Sequence, residues 1–180
     1  MRIIRAADCR TMPWKNGGGT TTEIAVAPES ASLDDFDWRI SMAHVGADGP
    51  FSSFPGITLA FGDGERVRLD RSSAPYPFAA DRAVDGMLVD GAIDDLNVMS
   101  RRGRWRHRVE RLSGAGVLTA AEGLLMLVAR KGDWLVNGAA LPAGDTAILE
   151  APGRVELVVS GNEAELYAVW LTMETRGTLS

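Results

Sequence analysis

Apolar and polar residues alternate along this chain in short stretches, and glycine, proline, asparagine or aspartate interrupts them every few positions. Successive side chains of an extended strand point to opposite faces, so period-two alternation marks a strand with one face buried. Residues 20–26, 38–44 and 66–69 are predicted strands of the first half, and residues 123–129, 133–136, 146–149, 154–159 and 164–171 of the second. The strongest local signal is Asn137-Gly138 between Trp134-Leu135-Val136 and Ala139-Ala140-Leu141. This pair supplies the positive φ angles of a two-residue type I′ hairpin turn. Pro142-Ala143-Gly144-Asp145 follows as a further turn, a zigzag that suits a small closed barrel or sandwich with few free edges. Helix signals are thin: residues 33–36 behind Ser32 as N-cap allow one turn. Residues 72–80 read as a proline-containing loop and residues 172–180 as a polar, frayed tail.

Composition narrows the partners. The 180 residues, 46% of them hydrophobic, suffice for one sizeable core or two small fused ones. Nineteen Lys and Arg against 24 Asp and Glu give a net charge of −5, which argues against non-specific attraction to nucleic acid. Cys9 is the only cysteine, so an intrachain disulfide is impossible and a reducing compartment fits best. Residues 1–8 lack the apolar core of a secretion signal, and the longest apolar run, residues 124–129, is far short of the ~20 residues of a membrane-spanning helix. A cytoplasmic protein with no membrane role is expected.

Three clusters carry candidate chemistry. The densest is Trp14-Lys15-Asn16-Gly17-Gly18-Gly19-Thr20-Thr21-Thr22-Glu23. Glycine loses the most backbone entropy on folding and adds no side chain, so packing alone does not account for three in a row. The bare backbone there serves a positive-φ turn, close approach of an anionic ligand to backbone N–H groups, or a flexible surface loop. It is not a phosphate-binding P-loop, because the lysine precedes the glycines and a strand follows them. The second cluster is residues 38–44, where Arg39, Ser41 and Ala43 share one face and Trp38, Ile40, Met42 and His44 the other. If Arg39 and Ser41 point into a barrel, the guanidinium is a fork for a carboxylate; otherwise they face water. The third is residues 94–103, where Asp95, Asn97, Met99 and Arg101 line one face of an extended segment. Ligand contact and a backbone-tying role for Asn97 remain equal alternatives. The arginines at 104, 106 and 108 alternate with Trp105, His107 and Val109, as on the solvated face of a strand rather than in a nucleic-acid site.

Metal and nucleophile signals are weak. His44 and His107 stand far apart, without the spacing of a metal-binding cupin, so neither metal nor cofactor is expected. No GxSxG elbow occurs, and Cys9 reads as an inert small hydrophobe. Glu23 with Lys15 or His44 forms an acid/base pair only if the fold brings them together.

Pro13-Trp14-Lys15-Asn16-Gly17-Gly18-Gly19 with Thr20 and Glu23, Trp38-Arg39-Ile40-Ser41, Gly49-Pro50-Phe51-Ser52 with Phe54-Pro55-Gly56, and Asp95-Leu96-Asn97-Val98-Met99 with Arg101-Arg102-Gly103 together resemble the HutD/Ves family in order and rough spacing. The resemblance implies an all-β double cupin (bicupin) of two fused small β-barrels without the usual cupin metal ligands. It further implies an association with bacterial histidine utilisation and binding of a pathway metabolite, urocanate or N-formylglutamate, in a regulatory role. One departure stands out: the family follows Phe-Pro-Gly with an acidic residue, an arginine and a further strand. Here Gly56 leads through Ile57-Thr58-Leu59 to Gly62-Asp63-Gly64. Deleting a central strand would open an edge, so a stretch omitted near Ile57 is the favoured explanation.

The expected architecture is a ligand-binding lobe over residues 1–112 and a side-chain-filled lobe over residues 113–180. The ligand site is expected beside the Trp14 to Thr22 loop. Trp14 forms an aromatic wall, and Asn16, Gly17, Gly18, Thr20, Thr22, Glu23, Ser41 and Asn97 offer polar contacts. Lys15, Arg39 and Arg101 supply cations for a small carboxylate. A homodimer is compatible with this scheme. The competing readings are a metal-independent isomerase, lyase or hydrolase using Glu23 or His44, and a purely structural or interaction module.

Overall fold

The computed structural model describes residues 1–32, 34–46, 57–89 and 91–174, and in them the chain is built of strands. In chain order these are β1 (Arg2–Ile4), β2 (Arg10–Pro13), β3 (Gly19–Ala27), β4 (Trp38–Val45), β5 (Ile57–Phe61), β6 (Arg66–Leu69), β7 (Val84–Leu88), β8 (Ile93–Ser100), β9 (Trp105–Leu112), β10 (Gly116–Ala120), β11 (Leu124–Val136), β12 (Ala139–Leu141), β13 (Thr146–Glu150) and β14 (Gly153–Met173). A single 3-10 turn, Ala6–Asp8, is the only helical element among the described residues. No helix there is long and apolar enough to cross a membrane. The expected turn at 33–36 includes Leu33, outside the described residues. Beside it Ser32 donates from its backbone N–H and its hydroxyl to Asp35 Oδ1.

The chain forms two compact units. One comprises Met1–Cys9, Ile24–Arg39 and Val98–Ser180; the other comprises Arg10–Glu23 and Ile40–Asn97. The first holds a seven-stranded sheet in the order β1-β13-β11-β14-β10, with β12 added to β11 and β9 to β14. Residues 125–129 are buried on both faces of β11, as their unbroken apolar run requires. Leu125, Leu127, Ala129, Trp134 and Val136 pack with Leu118, Leu141, Leu149, Val155, Leu157 and Leu166, so apolar side chains fill this core.

The hairpin forms as expected: Asn137 and Gly138 have φ of 48° and 81°, and Val136 pairs with Ala139. Asn137 Oδ1 also accepts the Glu156 N–H at 2.8 Å, tying the turn to β14. Two pairs of predicted strands prove to be single long ones, because Gly132 and Gly161-Asn162 act as bulges rather than turns. Lys131 pairs with Glu165 and Asp133 with Ser160, so β14 carries surplus residues opposite Gly132, whose φ is 80°.

The second unit contains the three-stranded sheet β6-β5-β7. Ile57 and Thr58 are consecutive residues of β5, paired with Leu69 and Arg68 on one side and with Leu88 and Met87 on the other. No stretch is omitted at that point, which corrects the sequence-based expectation. Arg82 stacks 3.8 Å from the Phe61 ring centroid and donates to Asp63 at 2.6 Å and Glu65 at 2.8 Å. The Tyr76 hydroxyl donates to the same Glu65, so charge and ring contacts hold the 72–80 loop where apolar burial is sparse. A remaining sheet, β2-β3-β4-β8, carries the candidate site residues. The Gly49 to Ser52 and Phe54 to Gly56 motifs lie outside the described residues.

Candidate functional site

The Trp14 to Gly19 segment is the turn between β2 and β3, closed by Trp14 N–H donating to the Gly19 carbonyl at 2.9 Å. Its glycines answer to the fold itself. Gly17 has φ of 72°, and a Cβ on Gly19 would lie 2.3 Å from the His44 carbonyl and 3.2 Å from the Trp14 ring. Packing therefore does explain Gly19, contrary to expectation: β4 and the indole approach the backbone too closely for any side chain. Gly18 has no such neighbour, and its N–H takes Asn16 Oδ1 at 3.0 Å. The Trp14 indole N–H donates to Thr21 Oγ1 at 2.7 Å, and the Thr11 and Thr22 hydroxyls share a hydrogen bond of 2.8 Å. Trp14 is half-buried and braced against β3; Lys15, Asn16 and Gly17 are exposed at the tip. Thr20 and Glu23 are half-buried, and Glu23 stands opposite Arg10 in the β2–β3 ladder.

Arg39 and Ser41 do not face water. They are 6% and 2% exposed, and Ala43 beyond them is 4% exposed. Burying a guanidinium is costly unless acceptors or an anion meet it, and Arg39 is engaged within the protein.

Strand β8 adds two further groups. Asn97 Nδ2 donates to Asp95 Oδ2 at 3.0 Å, while Asp95 Oδ1 is buried and has no hydrogen-bond partner. Burial pushes the Asp95 carboxyl up from its ordinary range, and the neighbouring charge of Asp94 adds to the shift. On the opposite face of β8, Asp94 Oδ1 lies 2.9 Å from His44 Nδ1. That contact sets the phase of the two strands. Ser41 and Ala43 on β4 and Asp95 and Asn97 on β8, each an odd number of residues away, take the other face. Sequence alternation grouped Asn97 with Asp95 but gave no sign of Asp95's burial, and nothing in the sequence pointed to Asp94 as the partner of His44.

Arg101 is placed differently from the expected ligand contact. Its Nε donates to the Phe36 carbonyl at 2.8 Å and its Nη2 to the Asp34 carbonyl at 2.7 Å, so its guanidinium secures the turn before β4. The basic strand is likewise engaged by neighbours: Arg104 pairs with Asp37, Arg106 with Glu122, and Arg108 with Glu110 while stacking on Trp170. Burial and the nearby Asp8 and Asp145 push the Cys9 thiol up, away from reactive thiolate. Among the described residues no three His, Cys, Asp or Glu side chains gather as a metal-holding group.

An all-β chain of this topology is a cupin-like protein of the double-cupin class. The YhhW structure from Escherichia coli shares the fold at a TM-score of 0.56 over 94% of this chain and 96% of that one, with 9% identity. The family is narrower: a family model described as HutD matches residues 6–167, and this chain belongs to that family. An uncharacterised 21.2 kDa protein in the hutC 3′ region of Pseudomonas putida is 36% identical over 140 residues, 72% of this chain and 73% of that protein. Protein Ves of Citrobacter koseri is 37% identical over 57% of this chain and 60% of its own length. The structure of HutD from Pseudomonas fluorescens SBW25, from a formate condition, superposes with a TM-score of 0.80 at 25% identity and covers 97% of this chain and 99% of that one.

Proposed function

We propose that this chain binds a small carboxylate of histidine breakdown, urocanate or N-formylglutamate, and governs use of that pathway through the bound state. The observation that carries the reading is the burial of Arg39 and Ser41 on one face of β4. A desolvated guanidinium presents a planar fork matched to a carboxylate, and the low dielectric around it strengthens that bond. The hutC-region location in the name of the Pseudomonas putida relative supports the choice of pathway. Isothermal titration of the whole chain with urocanate, N-formylglutamate, histidine and glutamate tests it. Heat and a thermal shift are expected with at least one of the first two; silence with all four ends the reading.

A second reading has its own observation, the His44–Asp94 pair at 2.9 Å. A carboxylate at Nδ1 orients an imidazole and makes Nε2 the basic nitrogen, the arrangement of a general acid/base. Turnover of urocanate or N-formylglutamate by the wild type, lost in His44→Gln, would favour an enzyme over a sensor.

A further inference from the structure

We infer that Asp95 recognises an N–H donor on the bound acid, so that the site selects acids carrying an imidazole or amide N–H over isosteric acids without one. This rests on the ligand-binding reading above and specifies its chemistry.

Among the described residues, Asp95 Oδ1 is the buried side-chain atom left without a hydrogen-bond partner. Native interiors satisfy nearly all such atoms, so the exception calls for a cause. Asn97 donates an N–H to Asp95 Oδ2, which fixes the carboxylate plane and leaves Oδ1 of Asp95 as the atom still to be matched. Ser41, 2% exposed, shares this sheet face and can complement either polarity. Among the described residues no group donates to Oδ1, and a ligand N–H would supply the missing donor.

An unmatched buried acceptor raises the free energy of the free protein, and a ligand N–H that meets it removes that penalty on binding. Sites built to hydrogen-bond a substrate N–H reject analogues that lack it far more strongly than apolar pockets reject a change of shape. Burial, with the charge of Asp94, raises the carboxyl pKa of Asp95 against the lowering effect of the Asn97 hydrogen bond.

Titration of the full chain with two matched pairs decides the matter. The first pair is urocanate and 3-(2-furyl)acrylate, which replaces the azole ring by one with no N–H; the second is N-formylglutamate and 2-(formyloxy)glutarate, in which an ester oxygen stands in place of the N–H. In the wild type, the N–H member of at least one pair is expected to bind about tenfold or more tighter, the size of one charge-assisted hydrogen bond. In Asp95→Ala that preference should collapse to within about twofold. Binding of both members of each pair with equal affinity by the wild type overturns the inference and leaves the carboxylate-binding reading standing. So does a preference that survives in Asp95→Ala. The ligand pairs need no variant, so misfolding of Asp95→Ala does not remove the test. If none of the four acids binds, the carboxylate-binding reading fails and this inference with it.

Discussion

Asp145 ties the beginning of the chain to the turn before β13, and its removal has a calculable effect. The residue is 7% exposed, accepts the Ala6 N–H at 2.9 Å and the Arg5 guanidinium at 2.7 Å, and so anchors the segment that follows β1. The two bonds are unequal. The Arg5 side chain is 56% exposed, so solvent screening limits that pair to about 0.2–1 kcal/mol. The amide bond to a buried carboxylate is worth about 1.5–3 kcal/mol. Asp145→Ala should therefore cost about 2–3 kcal/mol, a fall in Tm on the order of 5–10 °C for a chain of this size. The pH dependence carries a definite sign. Burial alone would raise this carboxyl, but the Ala6 amide and Arg5 more than offset it and hold it below its ordinary range. A group depressed in the folded state stabilises above its unfolded pKa and loses that contribution as pH falls through the folded value. Urea melts of wild type and Asp145→Asn should differ most near neutrality and converge in acid. A gap independent of pH, or an Asp145→Ala penalty below about 0.5 kcal/mol, refutes the anchoring argument.

Arg39→Ala should weaken ligand binding about tenfold or more in calorimetry, and Lys15→Ala less, because an ammonium lacks the planar fork and stays hydrated at an exposed tip. Wild-type affinity in a folded Arg39→Ala moves the site elsewhere. Substituting alanine along the glycine triplet should sort the three positions by thermal melting: Gly19→Ala worst, since its Cβ meets the His44 carbonyl at 2.3 Å, Gly17→Ala next at roughly 1 kcal/mol for its φ of 72°, and Gly18→Ala close to neutral. Equal effects at all three would contradict the close-approach explanation. Because burial raises the Asp95 pKa, the folded state holds that proton longer than the unfolded chain. Asp95 should therefore subtract stability progressively as pH rises from the unfolded to the folded value, and Asp95→Asn should flatten that part of the profile in urea melts.

Strand content was legible wherever alternation or an apolar run was unbroken, as in β3, β4 and the first half of β11. The hairpin at Asn137 was legible to the residue because only a few side-chain pairs tolerate two successive positive φ angles. Glycine misled twice, at Gly132 and Gly161, where a local breaker is absorbed as a bulge by long pairing partners that periodicity cannot see. The short strands β1, β2, β5, β7 and β10 were not read. β1 owes its place to Asp145 and to pairing with β13, both remote in sequence, while β7 is exposed along its length and shows no buried stripe. Of the candidate site, Arg39, Ser41 and Asn97 were singled out from face-sharing on a strand. Whether that face was buried depended on packing that the sequence does not display. Arg101 was misplaced for the converse reason: its role is set by the carbonyls of a turn more than sixty residues earlier, which carry no side-chain signature.

The position of β14 bears on how this protein comes to be made. β14 pairs with β9, β10 and β11, and three earlier strands therefore lack a shared neighbour until residues 153–173 have been synthesised. A ribosome-bound chain that has reached residue 150 leaves β9 and β10 without their ladder partner and β11 paired along one edge alone. Such non-local closure is slow and leaves sticky intermediates. The long strand is thus the step at which folding becomes cooperative, and a nascent chain stalled before it is the form a chaperone would be expected to hold.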